Sequence, residues 1–525
     1  MEEQYKNINI TTPIYYASGE PHLGHAYTTI LADAYKKYNI MVNNICRLET
    51  GTDEHGLKIE RLARRKGISN QDMVDELAYK FKEAWEELEI DYDDFLRTTE
   101  KRHIDFAKEF WRKLEEKGDI YLGQYEGLYC VDCEQYYSEN ELLDNQLCPI
   151  HHKKVELMKE ESYFFRLSKY HDWLVKYIEE NEDFIVPVNR RNEMLGFLKI
   201  EKLKDFSISR TSFSWGIPVP DNEKHIMYVW MDALTNYISS LGGCKSENYS
   251  KYWKNTIHFV GKDILRFHAI YWICMLKAAE LPLPKRIVAH GWWTISDRKI
   301  SKSDPATKVN PVCIAKDISV DGLRFYLLKE TSLEKDGNFD YYYLIESLNT
   351  FLANKLGNLV NRTLSMINKY INGKVKGNLV SNERFYKESD QVIYEAKKMR
   401  ENVIKNMDSY VPSEALNSIV GFIDCLNGYI DKTMPWKVAK LNENLLLNEI
   451  FSILVEGIHW VANYIYIFTP NIATKILRQF NLKKEGLLEE FILADRIVTN
   501  NPEIIYRRIE KDEMERLVNK WMGKV

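Results

Sequence analysis

The chain has 525 residues, and 45% of them are hydrophobic, which is enough apolar material for sizeable cores and excludes a disordered chain. At roughly 100–200 residues per domain, this length predicts three or four domains. Lysine and arginine number 72 against 77 aspartates and glutamates, a net charge of -5. This balance argues against a protein that coats nucleic acid by charge alone, while leaving room for a basic face on one domain.

The sequence carries neither a targeting signal nor a clear membrane span. Residues 445–470 are the most apolar stretch, but Glu449 and Glu456 interrupt it, which favours a buried amphipathic helix. The first seven residues include Glu2 and Glu3 and lack the apolar core of a signal peptide. We therefore expect a cytoplasmic protein with no membrane partner.

The first 118 residues alternate strand and helix patterns. Periodicity and turn formers predict, in chain order, a strand at 5–10, a loop at 11–21, a helix at 26–38, a strand at 46–50 and a strongly helical stretch at 69–117. This alternation is typical of a βαβ unit with a parallel sheet. Residues 1–118 are thus predicted to be the first half of a Rossmann-like domain.

The pattern changes near residue 119, where tyrosines and turn formers predict a β-rich insertion, and it changes back later. Strands are predicted again at 227–230, 256–260 and 286–289. The predicted divisions are an insertion at 119–224, a second Rossmann half at 225–295, a connecting region at 296–344 and an α-helical bundle at 345–525. The predicted fold class is therefore α/β, a parallel sheet split by an insertion and followed by helices.

Three of the eight cysteines lie together in the insertion and predict a metal site. Cys130 and Cys133 form one C-x2-C pair, and Cys148 with His151 forms a second, C-x2-H pair. Four such ligands satisfy tetrahedral Zn²⁺ and leave no open position, so we expect one structural zinc ion. His152 is an alternative to His151, although the spacing favours His151.

Two short motifs are typical of nucleotide binding. The segment 22–25 reads HLGH and opens the first predicted helix, where backbone N–H groups and the helix dipole favour a phosphate. The segment 299–303 reads KISKS and lies in a polar loop, where its two lysines suit a clamp on a triphosphate. Each motif alone is weak, but the two motifs in this order, with an α/β domain between them, would occur by chance much more rarely.

With these motifs the chain resembles the class I aminoacyl-tRNA synthetases, specifically the methionyl-tRNA synthetases. The segments are similar to the HIGH and KMSKS signatures of the class, with apolar replacements at Leu23 and Ile300. The resemblance implies Mg²⁺ that travels with ATP, and catalytic roles for His22, His25, Lys299 and Lys302. The implied ATP-binding residues are His22, Gly24, His25, Lys299, Ser301 and Lys302.

The same resemblance implies a methionine site. Asp53 matches the carboxylate that holds the substrate α-ammonium group, and Arg210 matches an arginine that fixes the active-site geometry. A thioether is polarisable and packs well against aromatic rings. The remaining matches are pocket residues, with Leu234 replacing a proline found in some members, and Ile264, His268 and Trp272 spaced for one helical face: Ile14, Tyr16, Trp230, Ala233, Leu234, Tyr237, Ile264, His268 and Trp272.

The resemblance extends to tRNA. Asn358 and Arg362, one helical turn apart, match anticodon readers, and Trp436 matches the aromatic residue on which an anticodon base stacks. Some members carry a zinc knuckle, here with a Cys₃His set. The implied function is attachment of L-methionine to tRNA(Met), recognised through its acceptor end and CAU anticodon, for initiation and elongation. Because no further domain follows the helical region, we expect a short form and a monomer.

Two alternatives remain. A class I synthetase for another apolar or sulfur-containing amino acid is one, but a cysteine-specific enzyme would carry a cysteine near the first strand, and residues 1–38 contain none. Branched-chain enzymes carry a much longer editing insertion. A catalytically silent tRNA-binding protein is the other, and it would be expected to have lost His22, His25, Asp53 or Lys302, all of which are present.

Overall fold

A computed structural model describes residues 5–132, 135–137, 142–144, 146–150, 152–295, 298–299, 309–377, 383–499 and 501–524. The chain forms two compact units. The first unit comprises Met1–Pro21 and Cys46–His290, and the second comprises His22–Ile45 and Gly291–Val525. The first long helix of the chain therefore belongs to the same unit as the C-terminal half.

The longest strands lie in two sheets of the first unit. In chain order the strands are β1 (Asn7–Tyr16), β2 (Ile45–Asp53), β3 (Asp94–Arg97), β4 (Ile120–Cys130), β5 (Gln135–Tyr137), β6 (Glu156–Phe165), β7 (Ile185–Val186), β8 (Phe206–Ser207), β9 (Ser209–Arg210), β10 (Pro218–Val219), β11 (Asn222–Met227), β12 (Thr256–Gly261), β13 (Arg286–His290), β14 (Trp293–Ile295), β15 (Arg298–Lys299), β16 (Gly337–Asn338), β17 (Lys374–Val375) and β18 (Arg496–Ile497). The longest of them are β1, β2, β4 and β6.

The α-helices dominate the second unit. In chain order they are α1 (Leu23–Met41), α2 (Leu57–Lys66), α3 (Asn70–Glu87), α4 (Lys101–Glu116), α5 (His171–Glu180), α6 (Val188–Ile200), α7 (Val229–Leu234), α8 (Asn236–Ser239), α9 (Glu247–Tyr252), α10 (Ile273–Ala278), α11 (Pro311–Ile318), α12 (Val320–Lys329), α13 (Tyr341–Leu348), α14 (Asn358–Ile371), α15 (Tyr386–Asp408), α16 (Pro412–Thr433), α17 (Pro435–Lys440), α18 (Asn444–Ile465), α19 (Pro470–Gln479) and α20 (Lys511–Trp521).

A six-stranded sheet with the order β3–β2–β1–β12–β13–β7 forms the centre of the first unit. The pairs β1–β12, β12–β13, β13–β7 and β2–β3 are all parallel. Parallel strands of this kind are covered on both faces, and β1, β12 and β13 are accordingly almost wholly buried. The predicted α/β fold with a parallel sheet is confirmed, as are the strands predicted near 46–50, 256–260 and 286–289.

Strand β1 is longer than predicted. The loop expected at 11–21 begins only after Tyr16, because β-branched and aromatic residues favour extended backbone and the fixed φ of Pro13 is compatible with it. The register places Asn9 opposite Thr256 and Thr11 opposite His258.

The first unit departs from the predictions at two other places. The stretch 69–117 is helical in α3 and α4, as predicted, but the four-residue edge strand β3, which was not predicted, lies between them. So short a strand has too little periodicity to be recognised. The strand predicted at 227–230 is wrong, since β11 ends at Met227 and α7 begins at Val229. There the β-favouring composition is overridden by tertiary contacts of the buried helix.

The stretch 119–224 contains the antiparallel sheet β5–β4–β6–β8, with β4 paired to β6 from Ile120–Phe165 to Tyr129–Glu156. It also contains α5 and α6. Strand β7, from the same stretch, joins the edge of the parallel sheet beside β13. The stretch therefore supplies part of the central sheet as well as its own β layer.

The second unit is largely helical, which confirms the predicted helical C-terminal region. Its helix α18 is long and apolar enough to cross a membrane, but 89% of its most apolar window is buried within the protein. Its neighbours include α14, α15, α16, α17 and α19. It is therefore a core helix, as the polar residues that interrupt its sequence predict.

Candidate active site

His22 and His25 form a reciprocal cap at the start of α1. The Gly24 N–H donates to His22 Nδ1 at 3.0 Å, and the His22 N–H donates to His25 Nδ1 at 3.2 Å. The two rings stack with centroids 3.7 Å apart. Because each Nδ1 accepts a backbone N–H, each neutral ring carries its proton on Nε2. Both imidazoles can therefore donate a hydrogen bond from the far side of the ring.

Gly24 is required by the cap itself. A Cβ at this position would lie 2.9 Å from His22 Cε1 and 3.1 Å from His22 Nδ1. We therefore expect Gly24→Ala to displace the His22 ring and to slow an ATP-dependent step by about tenfold or more, since small misplacements of positioning groups are costly. Pre-steady-state kinetics would measure this rate, with Gly196→Ala, where an added Cβ meets nothing within 4 Å, as the matched control. If Gly24→Ala and Gly196→Ala react at equal rates, the cap does not position the His22 ring for this step.

The second motif is only partly described. Lys299 ends β15, whose hairpin partner β14 places Thr294 opposite it. Its side chain lies outside the described part, and so do Ser301 and Lys302. Their predicted roles toward ATP stay predictions.

Asp53 is the last residue of β2, at the carboxyl end of the parallel sheet, and is 7% exposed. Its backbone oxygen accepts the Ala17 N–H at 2.8 Å, which joins the ends of β1 and β2. Ile14 lies against β2, because a Cβ on Gly51 would come within 2.9 Å of Ile14 Cγ2. Tyr16, at the end of β1, is half-buried and packs on the small core that includes Ala17. Ligands of open α/β sheets bind at this end of the strands.

Two stacked rings, Trp230 of α7 and Phe267 of the segment that follows β12, form a surface that we call the aromatic wall. Trp230 stacks on Phe267 with centroids 3.7 Å apart and planes within 3°. Ala233 and Leu234, also on α7, are buried at 5% and 1% exposure. Trp230 remains partly exposed and Ile264 packs against the same core, so an apolar surface borders this wall.

Tyr237 and His268 form a buried pair behind Trp230. Tyr237 Oη and His268 Nε2 are 2.6 Å apart, and His268 Nδ1 is 2.9 Å from the Ile264 carbonyl oxygen. A carbonyl can only accept, so Nδ1 carries the proton and Nε2 accepts the tyrosine hydroxyl. Burial lowers the pKa of His268 to about 4, so the ring is neutral at pH 7. The pair therefore presents no charge to the wall.

Ile264, His268 and Trp272 do not lie on a regular α-helix. Lys262–Ile264 is a 3₁₀ turn and Phe267–Trp272 is π-helical, a geometry frequent at functional sites. Trp272 is fully buried, and its ring lies 6.2 Å from the rings of Tyr237 and Trp253. Trp272 therefore packs in the core around Tyr237.

Arg210 is buried at 1% exposure, at the end of β9. Its guanidinium donates to Ser207 Oγ at 2.7 Å and to the Ser209 carbonyl at 2.6 Å, and it lies 4.2 Å from the Tyr228 ring centroid. Tyr228 is the residue immediately before α7. Arg210 thus supports the entry to the helix that carries Trp230.

A buried group that sequence reasoning did not single out lies between these elements. Asp232, on α7, contacts His55 and His103 through its two carboxylate oxygens, each at 2.6 Å. His55 follows Asp53 by two residues, and Trp215 packs edge-on against it at 5.5 Å. The polar run TDEH, which ends β2 and begins the loop after it, was the available signal, but the partners of His55 come from distant parts of the sequence.

The zinc ligands predicted from the cysteines are half described. Cys130 and Cys148 are buried in one small core with Tyr137 and Val155, and the Ile150 N–H donates to Cys148 Sγ at 3.4 Å. Cys133 and His151 lie outside the described residues. Within the described ranges, no group of three or more potential metal ligands occurs. The alternative ligand His152 is described and exposed.

The three predicted anticodon-binding residues lie on two helices of the second unit that contact each other, α14 and α17. Asn358 begins α14 and is exposed, while Arg362 is half-buried and donates to Asp431 on α16 at 2.8 Å. Trp436, near the start of α17, is half-buried. All three are accessible on the helical bundle.

Comparison with known proteins identifies the family. A family model described as tRNA synthetases class I (M) matches residues 8–143 and 139–364. The chain is 44% identical to the methionine--tRNA ligase of Fusobacterium nucleatum, over 97% of this chain and 81% of that protein. It is 42% identical to the methionine--tRNA ligase of Rickettsia conorii, over 95% of this chain and 99% of that protein.

Solved structures agree with these sequence matches. The Mycobacterium tuberculosis methionyl-tRNA synthetase in complex with methionyl-adenylate has a TM-score of 0.91 and 35% identity, covering 96% of this chain and 100% of that chain. Its apo form has a TM-score of 0.83 and 33% identity, covering 97% of this chain and 100% of that chain. The resemblance predicted from the two motifs is confirmed: the chain belongs to the class I methionyl-tRNA synthetases, the methionine--tRNA ligases.

Proposed function

We propose that the chain attaches L-methionine to tRNA(Met) through a methionyl-adenylate, for translation initiation and elongation. In the first step the methionine carboxylate attacks the α-phosphate of ATP and pyrophosphate leaves. In the second step the 2′-hydroxyl of the terminal ribose of the tRNA attacks the activated carbonyl and AMP leaves. The substrates supply all reacting groups, so the protein contributes positioning and charge stabilisation.

On the ATP side, His22 and His25 would donate from Nε2 to phosphate oxygens at the start of α1, with the Gly24 backbone close to the nucleotide. Their Nδ1 hydrogen bonds support this assignment because they fix the proton on Nε2. Lys299, Ser301 and Lys302 would hold the leaving pyrophosphate. Mg²⁺ bound with ATP would neutralise phosphate charge, and we expect no dedicated protein cage for it.

On the methionine side, the uncharged Tyr237–His268 pair is the observation that carries the proposal. An uncharged surface of aromatic rings disfavours a charged side chain, because burying a charge without a partner is costly. The same surface suits a polarisable thioether. Trp230, Ala233, Leu234 and Ile264, together with Ile14, Tyr16, Tyr237, His268 and Trp272, would form and support this pocket. Asp53 would bind the α-ammonium group, and Arg210 would hold the geometry of α7.

For tRNA, Asn358, Arg362 and Trp436 would read the CAU anticodon, with Trp436 stacking on a base. Stacking on an aromatic side chain contributes about 1–3 kcal/mol per base. We therefore expect Trp436→Ala to raise the KM for tRNA by about tenfold or more while leaving methionine activation unchanged. Aminoacylation kinetics would measure this, with the exposed aromatic Tyr394 on α15 changed to Ala as control. An unchanged KM for tRNA in the Trp436 variant would remove the assignment.

In the insertion, Cys130, Cys133, Cys148 and His151 would hold one structural zinc ion. The donor set of three sulfur atoms and one imidazole fits Zn²⁺, and Cys148 Sγ accepts the Ile150 N–H in the same small core as Cys130. We expect about one zinc per chain, and a loss of both metal and stability in Cys130→Ser. Elemental analysis and thermal unfolding would measure both, with Cys425→Ser, on α16 in the second unit, as control. Stoichiometric zinc in Cys130→Ser would contradict the ligand set.

The same proposal includes the predicted divisions at 1–118, 119–224, 225–295, 296–344 and 345–525, a monomeric state and a cytoplasmic location. Light scattering of the purified protein tests the monomeric state.

Charging of tRNA(Met) transcripts tests the function, with a CAU anticodon compared against a changed one. We expect methionyl-tRNA with the CAU transcript and strongly reduced charging with the other. Binding of tRNA without charging would instead favour a silent tRNA-binding protein.

A further inference from the structure

Asp53, which would bind the methionine ammonium group, ends strand β2 of the central sheet, whereas helix α7, which would form the side-chain pocket, follows β11 of a separate three-stranded sheet. Methionine has a fixed length, so both ends of its site must stand in the correct register for activation. We propose that Asp232 is a positioning residue that holds these two parts in register, through His55 on one side and His103 on the other. This inference rests on the proposed role of Asp53.

Asp232 is fully buried, and each of its carboxylate oxygens contacts one histidine. The side chain is 0% exposed, Oδ2 is 2.6 Å from His55 Nδ1, and Oδ1 is 2.6 Å from His103 Nε2. Burial alone would raise the pKa of Asp232, but the two histidines outweigh it and lower the pKa to about 2. An ionised carboxylate only accepts hydrogen bonds, so both ring nitrogens donate to it. Each histidine is thus held in one ring orientation.

On the substrate side, the loop after β2 is held from several directions. The Glu54 carboxylate accepts two hydrogen bonds from Arg97, at 2.7 and 3.0 Å. Trp215 Nε1 donates to the Glu54 carbonyl at 2.6 Å, and the Gly56 N–H donates to the Trp215 carbonyl at 3.0 Å. His55 lies between these anchors, and its bond to Asp232 connects the loop of Asp53 to α7.

On the pocket side, Asp232 lies between Trp230 and Ala233 in a helix of only six residues. Isolated helices this short are not stable, so tertiary contacts decide where α7 lies. His103 extends the connection to α8, because its Nδ1 is 2.9 Å from Ser239 Oγ. A shift of Asp232 would therefore move Trp230, which belongs to the aromatic wall, relative to Asp53.

The first test is Asp232→Asn, which keeps the shape but replaces one acceptor oxygen by a donor NH₂ group. One histidine then faces a donor and must turn or change its tautomer. In ATP–pyrophosphate exchange we expect the KM for methionine to rise by about tenfold or more, with the KM for ATP within about twofold of wild type. A purely structural defect would lower the active fraction, measured by active-site titration, without separating the two KM values.

A matched pair on His55 keeps the test sharp if Asp232→Asn fails to fold. The amide nitrogen of Asn matches the position of histidine Nδ1, which contacts Asp232, whereas that of Gln matches Nε2. We therefore expect His55→Asn to retain a KM for methionine within about threefold of wild type and His55→Gln to raise it by about tenfold. At His103, which uses Nε2, the order is expected to reverse, with Gln the better replacement.

The outcomes separate this inference from the proposed function. If Asp53→Asn raises the KM for methionine but Asp232→Asn changes neither KM, the inference is wrong and the role of Asp53 stands. Equal effects of Asn and Gln at His55 would also overturn it. If Asp53→Asn has no effect on methionine binding, the proposed role of Asp53 is wrong and the inference falls with it.

Discussion

Replacement of Asp53 by asparagine is expected to raise the KM for methionine by about a hundredfold, with little change in the KM for ATP. The carboxylate is 7% exposed, so its charge pair with the substrate ammonium group would be largely desolvated. Removing one partner of such a pair costs about 2–5 kcal/mol, and each 1.4 kcal/mol corresponds to about tenfold in affinity. ATP–pyrophosphate exchange at varied methionine concentration measures the effect.

The substitution is conservative for the fold. Asparagine keeps the shape of the side chain, and the Ala17 N–H bond goes to the Asp53 backbone oxygen, which the change does not touch. Asp105→Asn, an exposed carboxylate paired with Lys101 on α4, is the control and is expected to behave as wild type. A parallel rise in both KM values, or no rise in either, would contradict an ammonium-binding role.

Replacement of Arg324 by methionine is expected to lower the free energy of unfolding of the second unit by about 3 kcal/mol or more. Arg324 and Asp33 are both fully buried and lie 2.6 Å apart, and Arg324 Nε donates to the Phe468 carbonyl at 2.9 Å. After the change, Asp33 keeps Lys37 as a counter-ion, but the Phe468 carbonyl oxygen loses the hydrogen bond from Arg324. Breaking a buried ion pair from one side is costly because a charge stays buried.

Urea unfolding, followed by the fluorescence of the tryptophans, measures this loss from the transition midpoint. Arg478→Met removes an arginine from an exposed pair with Glu503, and exposed pairs contribute at most about 1 kcal/mol. We therefore expect the Arg324 variant to be clearly less stable than the Arg478 variant. Equal stabilities would show that the contact of α12 with α1 does not anchor the helix that carries His25.

The elements that the sequence predicted correctly are those with strong local patterns. Helix α1 and strands β2, β12 and β13 follow from periodicity, because each has one buried face or is buried on both sides. Strand β3 was missed since four edge residues carry no usable period. Helix α7 was mistaken for a strand because its composition is β-favouring, while its conformation depends on partners elsewhere in the chain.

The candidate active site could likewise be predicted only where a local sequence pattern contains the residues concerned. Individual residues such as His22 and Asp53 could be named from short motifs, because the chemistry proposed for them needs particular residues at particular spacings. The proton positions on His22 and His268 could not, since they depend on the acceptors and donors that the fold supplies. The bonds of Asp232 to His55 and His103 span 177 and 129 residues of sequence, so no local pattern contains them.

The most direct test is ATP–pyrophosphate exchange by the purified protein with each of the twenty amino acids in turn, without tRNA. We expect exchange with methionine and none above background with the other nineteen, because the proposed pocket beside the uncharged Tyr237–His268 pair would take a thioether side chain and Asp53 would bind the α-ammonium group. Exchange with a different amino acid would contradict the pocket assignment. No exchange with any amino acid, with or without tRNA, would contradict the ligase activity itself.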